Sequence, residues 1–166
     1  VSILFKDNMD VSVSDHHDYG EGRVLLLNTE IRGKGITLVN IYALNVEQTR
    51  SNFFKNIQEW ILQKAKYSKN IMIAGDSNCC LRDSDRNTKT HIGDKSRIMM
   101  KNMLSALNVH DCWESNDAKV PHFTWSDNTV KSRLDYICIN KNTNVSIKIL
   151  ETRIVISDSI GARMTD

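Results

Sequence analysis

The sequence predicts an α+β layered sandwich, folded as a single domain over residues 1–166. Three observations predict it. Many short apolar runs have strand character, two longer stretches carry apolar residues at helical spacing, and no repeat, low-complexity tract or linker divides the chain. A chain of 166 residues is long enough to bury a sizeable core.

Val1-Ser2-Ile3-Leu4-Phe5 reads as a strand already under way, so the chain reads as the continuation of a longer one. Arg23 to Ile31 and Ile36 to Ala43 read as two strands. The short Gly-rich link Arg32-Gly33-Lys34-Gly35 joins them as a hairpin. Asn45 is placed to cap a helix, with Gln48 at the capping-box position. Phe53, Phe54, Ile57, Trp60, Ile61 and Ala65 then recur at helical spacing and predict a helix over 46–67. Ile71 to Ala74 is wholly apolar, as in a strand buried on both faces. Residues 82–95 are polar and charged and read as a solvated loop. Ser96 is placed to cap a second helix carrying Met99, Met100, Met103, Leu104 and Leu107. Phe123-Thr124-Trp125 and Ser132 to Ile139 read as strands, and Val145, Ile147, Ile149 and Thr152 to Ile156 continue the pattern.

Composition narrows the classes. An apolar fraction of 40%, a charged fraction of 25% and a net charge of +2 are those of a globular protein that tolerates a nucleic-acid partner without demanding one. No apolar run approaches the ~20 residues that span a bilayer, and the first residues lack the features of a signal peptide. Cys79, Cys80, Cys112 and Cys138 form no CxxC pair. They read as free thiols of a reducing compartment, nucleus or cytosol.

The most informative stretch is Ile71-Met72-Ile73-Ala74-Gly75-Asp76-Ser77-Asn78. A buried strand runs into a glycine, then offers a carboxylate and an amide two residues apart. On an extended backbone both point one way. The carboxylate can orient a water or a metal-bound water, and the amide can donate to a phosphate oxygen, a pair suited to phosphodiester hydrolysis. An ordinary Asp/Asn turn after a strand accounts for the same residues.

Three further segments put polar groups at strand ends: Asn40-Ile41-Tyr42-Ala43, Ser132-Arg133-Leu134-Asp135-Tyr136-Ile137 and Ser157-Asp158-Ser159. In this order, with Glu21-Gly22-Arg23 and Phe123-Thr124-Trp125, the chain resembles the endonuclease/exonuclease/phosphatase superfamily. Within it, the chain is most similar to the apurinic-type endonuclease domains of LINE-class (non-LTR) retrotransposons. The resemblance implies a four-layered αββα sandwich, two mainly antiparallel sheets face to face with helices outside, the first strand and helix missing. It implies a DNA endonuclease dependent on Mg²⁺ or Mn²⁺, a monomeric domain of a polyprotein that also carries a reverse transcriptase. It places Tyr42 on the scissile phosphate, Asp76 on the attacking water and Asn78 on phosphate and water. Asp158 becomes a carboxylate on the metal or histidine side. Arg133 and Asp135 fall in a structural and substrate-edge motif, with Asp135 fixing loops behind the site, and Trp125 is either core or a stacking residue near the DNA. Arg82, Arg86, Lys89, Lys95 and Arg97 are candidate phosphate contacts.

Two departures qualify the implied activity. Ser159 stands where the family pattern has a histidine, and a serine hydroxyl does not replace imidazole near neutral pH. Losing a positioned acid–base group costs roughly 10²–10⁴ in rate. His16, His17, His91, His110 and His122 match no motif, His122 beside Phe123 being the nearest substitute. No carboxylate matches the family's metal-binding Glu. Ser77 replaces a common Phe. A catalytically dead relic of the same fold is therefore the alternative, and a phosphoinositide phosphatase or RNA deadenylase a further one.

Overall fold

The computed structural model describes residues 1–88, 94–115 and 123–140. Its elements are β1 (Val11–Tyr19), β2 (Val24–Ile31), β3 (Lys34–Tyr42), α1 (Glu47–Lys64), β4 (Ile71–Asp76), α2 (Asp94–Ala106), β5 (Val109–Asp111), β6 (Trp125–Ser126), β7 (Lys131–Ser132) and β8 (Asp135–Asn140). Short 3-10 turns occupy Asp83–Asp85 and Cys112–Ser115.

Six strands form one sheet in the order β1-β2-β3-β4-β8-β5, and β6 and β7 form a small separate ladder. The β1–β2 and β2–β3 pairs are antiparallel. β3 and β4 run parallel, which requires a crossover, and α1 supplies it. β8 then enters antiparallel between β4 and β5. A mainly antiparallel large sheet with a helical layer is the predicted α/β class.

The core lies between this sheet and the helices. Val24 and Leu26 of β2, Val39 and Ile41 of β3, Ile71 and Ile73 of β4, and Tyr136 and Cys138 of β8 point to one side. They meet Phe54, Ile57 and Ile61 of α1 and Met100, Met103 and Leu104 of α2. Each such side chain contributes about 1.5–3 kcal/mol on burial. Two fully or nearly fully buried asparagines close the helix exits. Asn28 donates to the Lys64 carbonyl at 2.9 Å and accepts from the Lys66 N–H at 2.9 Å. Asn140 donates to the carbonyls of Leu107 and Asn108 at 3.0 and 3.1 Å and accepts from the Ile71 N–H.

Several local expectations change. Val1 to Phe5 is not a strand; the Val1 amino group donates to the Gly22 carbonyl and Asn40 to the Ser2 carbonyl. β1 went unread because most of its residues are exposed, so no apolar alternation marks it. The helix cap is Val46, without a side-chain bond, and Asn45 precedes it with its carbonyl accepting from Arg50. Ser96 lies inside α2 and is fully buried against Glu47. On β4, Met72 and Ala74 are only half-buried, so the strand is not covered on both faces. The charged run after Leu81 is not simply solvated, since Asp85 is buried. The strand read over Ser132 to Ile139 is divided into β7 and β8. The apolar pattern of Val145 to Ile156 lies outside the described residues.

Candidate active site

Strand register assembles the candidate site. Tyr42 aligns with Asp76 across the β3–β4 pair, and Asp76 aligns with Asp135 across the β4–β8 pair. On the other side the Tyr42 N–H donates to the Arg23 carbonyl at 2.8 Å. Arg23, Tyr42, Asp76 and Asp135 therefore form a row along one margin of the sheet. Ile41, Ile73 and Tyr136 face the helices, so by alternation Tyr42, Asp76 and Asp135 face the other way.

Close approach of β3 and β4 at this margin requires a glycine. Gly75 has φ +130°, and a Cβ there would lie 2.0 Å from the Ile41 carbonyl oxygen. Beyond Asp76 the chain turns sharply. Asn78 has φ 47°, and its N–H donates to Asp76 Oδ1 at 2.8 Å. The two residues therefore meet through a turn rather than by alternation on an extended strand. The Asn78 Nδ2 donates to the Ala43 carbonyl at 2.9 Å, which leaves its side-chain oxygen as the group available to a substrate or an ion. Ser77 is buried, with its N–H on the Leu134 carbonyl at 2.8 Å.

The electrostatics follow from this crowding. Burial raises the Asp76 carboxyl above its ordinary range, and repulsion from Asp135 adds to it, while the Asn78 N–H and the Arg50 charge oppose. Tyr42 is 43% exposed, and the Arg23 guanidinium sits 4.9 Å from its ring centroid, a cation–π distance. Half-buried carboxylates on adjacent strands, with the Asn78 oxygen beside them, are hard oxygen donors. That donor set fits a small divalent cation that keeps several waters. Among the described residues no three His, Cys, Asp or Glu side chains cluster as a fuller cation site.

The residues of the Ser132–Tyr136 motif divide. Arg133 is 5% exposed and sits between two carboxylates, donating to Asp85 at 3.0 Å and to Asp111 at 2.6 Å. Its guanidinium also lies 4.5 Å from the Tyr136 ring, and the Tyr136 hydroxyl donates to Asp85 at 3.0 Å. Loop fixing behind the site thus falls to Arg133, Asp85 and Asp111, while Asp135 stands in the row with Asp76. Thr124 Oγ1 accepts the N–H groups of Leu134 and Asp135, so the β6–β7 ladder is anchored beside Asp135. It presents Trp125, 45% exposed, which is not a core residue.

Arg82 is bonded to Asp111, and Arg97 to Asp83 and the Cys80 carbonyl, so both serve the protein's own loops. The four cysteines are free thiols, and burial pushes Cys79 up to about 12 and Cys112 up to about 11. Asp158, Ser159, His122 and Lys89 lie outside the described residues. Sequence reasoning missed Arg50, Asp85 and Asp111. Arg50 carried a usable signal: it falls on the same helical stripe as Phe53, Phe54 and Ile57, where a charge is out of place.

No family model matches the sequence, and no curated protein matches it. Solved structures do share its fold. The 3′ phosphatase NExo from Neisseria, bound to a product DNA hairpin, superposes with a TM-score of 0.63 at 18% identity, over 78% of this chain and 59% of that one. An AP endonuclease from Archaeoglobus fulgidus gives 0.61 at 17% identity, over 80% and 58%. The endonuclease domain of TRAS1, a telomere-specific non-LTR retrotransposon, gives 0.55 at 19% identity, over 83% and 58%. The chain thus spans less than three fifths of the length of each of these three structures. Its fold is the one these phosphatase and endonuclease structures share, the TRAS1 endonuclease domain included.

Proposed function

We propose that the chain carries part of a divalent-cation-dependent phosphodiesterase site for DNA, of the kind with which a retrotransposon nicks its target, and that its turnover is impaired. The single observation that carries this reading is the row Arg23–Tyr42–Asp76–Asp135 at one sheet margin. A cationic and phenolic half stands next to an anionic half. A phosphodiester needs donors for its oxygens on one side and an oriented water on the other. Solved relatives of the fold named as a DNA-bound phosphatase, an AP endonuclease and a retrotransposon endonuclease support DNA as the substrate class.

In this reading the Tyr42 hydroxyl donates to a phosphate oxygen, and Arg23, braced on the Tyr42 ring, contacts the phosphate backbone. Asp76 accepts a hydrogen bond from the attacking water and aligns it. Asn78 is held by Ala43 so that its side-chain oxygen faces the same space. Asp76 and Asp135 would hold the cation, Mg²⁺ or Mn²⁺, which when bound neutralises phosphate charge. Asp158 is the further carboxylate that the sequence pattern offers. Trp125 offers a flat surface against a sugar or base. Free thiols accord with a reducing compartment, nucleus or cytosol; in this reading the chain is one domain of a polyprotein that also carries a reverse transcriptase.

Ser159 in place of histidine is the specific observation favouring the alternative, a relic of the fold without turnover. One experiment separates the two: nicking of supercoiled plasmid by the purified chain, with Mg²⁺ and with chelator, beside Asp76→Ala. The proposed site predicts slow, chelator-sensitive nicking that Asp76→Ala abolishes. Nicking that survives Asp76→Ala would overturn the assignment, and a folded sample that never nicks would establish the relic.

A further inference from the structure

The Asp76–Asn78 turn does not hold itself in place. Asn78 docks on the Ala43 carbonyl, and the Ala43 N–H donates to the Asp76 carbonyl at 2.8 Å. The Asn78 end of the turn is therefore tied to the link 43–45 between β3 and α1, while Ser77 is tied to the Leu134 carbonyl of the neighbouring segment. The Leu44 and Asn45 carbonyls of that link are bracketed by one side chain. Arg50, 7% exposed, donates through Nη1 to the carbonyls of Asn45 at 2.8 Å and Leu44 at 3.2 Å. The rest of the guanidinium is fixed in turn. Its Nη2 donates to Glu47 Oε2 at 2.6 Å, and its Nε donates to Ser96 Oγ at 3.1 Å. Ser96 closes the cluster by donating to the Glu47 carboxylate from its N–H and its hydroxyl, both at 2.8 Å. The next residue of α2, Arg97, reaches the Cys80 carbonyl at 3.1 Å on the far side of the turn.

We infer that Glu47, Arg50 and Ser96 form a positioning unit for the candidate site: through the 43–45 link they set Asn78 and Tyr42 relative to Asp76. The inference rests on the phosphodiesterase reading for its catalytic meaning, though the geometry stands without it. The starts of both helices and the exit of β3 converge on one planar guanidinium, whose five fixed donors suit a bracket of backbone carbonyls. The same charge acts on Asp76 itself and opposes the upward push of burial. Glu47, although burial pushes its carboxyl up, is held below its ordinary value by the Ser96 and Arg50 donors, so the cluster keeps its ionic form at neutral pH.

Three variants test the unit: Arg50→Lys, the neutral pair Glu47→Gln with Arg50→Gln, and Ser96→Ala. The neutral pair leaves no unmatched buried charge, so it stays folded if Arg50→Lys does not. In plasmid nicking with Mg²⁺, the neutral pair lowers kcat about 10²-fold with KM changed less than about threefold, because misplacement of about 1 Å has that effect on rate. Arg50→Lys, which keeps the charge but not the bracket, rescues little of it. The second readout needs no turnover: the Asn78 side-chain amide signals in nitrogen–proton correlation spectra. They shift in the neutral pair and less so in Ser96→Ala, beyond what a fall in melting temperature alone produces. Unchanged Asn78 signals in a folded Arg50 variant overturn the positioning unit. If the unmutated chain does not nick, the phosphodiesterase reading fails while the Asn78 signals still decide this inference.

Discussion

Arg133 shows how a single buried charge is made tolerable. Its guanidinium lies between Asp85 and Asp111, both nearly inaccessible, and over the face of Tyr136. Desolvating such a group is expensive, and its two carboxylates offset that only while both remain. Arg133→Ala would leave Asp111 to Arg82 alone and Asp85 without a cationic partner, so a loss of about 3–5 kcal/mol is expected, read as a shift in denaturant midpoint. A loss under about 1 kcal/mol would mean that water reaches the carboxylates. Arg133 was legible as part of a motif, but its partners were not. Asp85 sits in a run of charges that any local reading assigns to solvent, and Asp111 sits on a three-residue strand. The pairing exists because the sheet brings β5 to β8, and a bridge between Arg86 and Ser132 brings the 82–86 segment to β7. Tyr42, Asp76 and Asn78 were legible for the opposite reason: each follows an apolar strand directly, and strand ends are where a parallel pair exposes its chemistry.

Among the elements, the β3–β4 pair decides whether a site exists at all. Their contact at Gly75 leaves no room for a side chain, and the backbone there has a φ that other residues rarely adopt. Gly75→Ala is expected to cost 1–3 kcal/mol, roughly, from the backbone alone, with the clash against the Ile41 carbonyl added. Hydrogen exchange at Ala43, whose N–H donates to the Asp76 carbonyl, is the sensitive measurement: protection there should fall before protection in β2 does. Equal protection in the variant would mean that the pair spreads without loss. The element boundaries that the sequence missed share a cause. β1 is an edge strand with few buried residues, and the N-terminal turns of α1 and α2 begin where Arg50, Glu47 and Ser96 interlock rather than where a local cap dictates. Caps are local signals; this junction is tertiary.

At the scale of the molecule, a net charge of +2 leaves any hold on DNA to the local arrangement of cations. Arg23 stands free of ion pairs among the described residues, whereas Arg82 and Arg97 are tied to the protein's own carboxylates. DNA affinity should therefore be modest and fall with salt. Its log–log slope would be that of only a few phosphate contacts, about −0.9 for each in duplex DNA. Fluorescence anisotropy of a labelled duplex between low and physiological salt measures it. An affinity indifferent to salt would remove the phosphate-tracking surface from the reading.

The insertion of β8 between β4 and β5 has a temporal consequence. β4 ends at Asp76, and the strand that pairs with its open side begins at Asp135, 59 residues later. At about 5–20 residues per second of synthesis, on the order of 3–12 seconds pass before that edge can close. For that interval Ile71 to Ala74, with its unpaired peptide groups, faces whatever else is nearby on the ribosome. Asp76 and Asp135 do not stand side by side until the wait is over, so the pair of carboxylates comes into being only after most of the sheet is already in place.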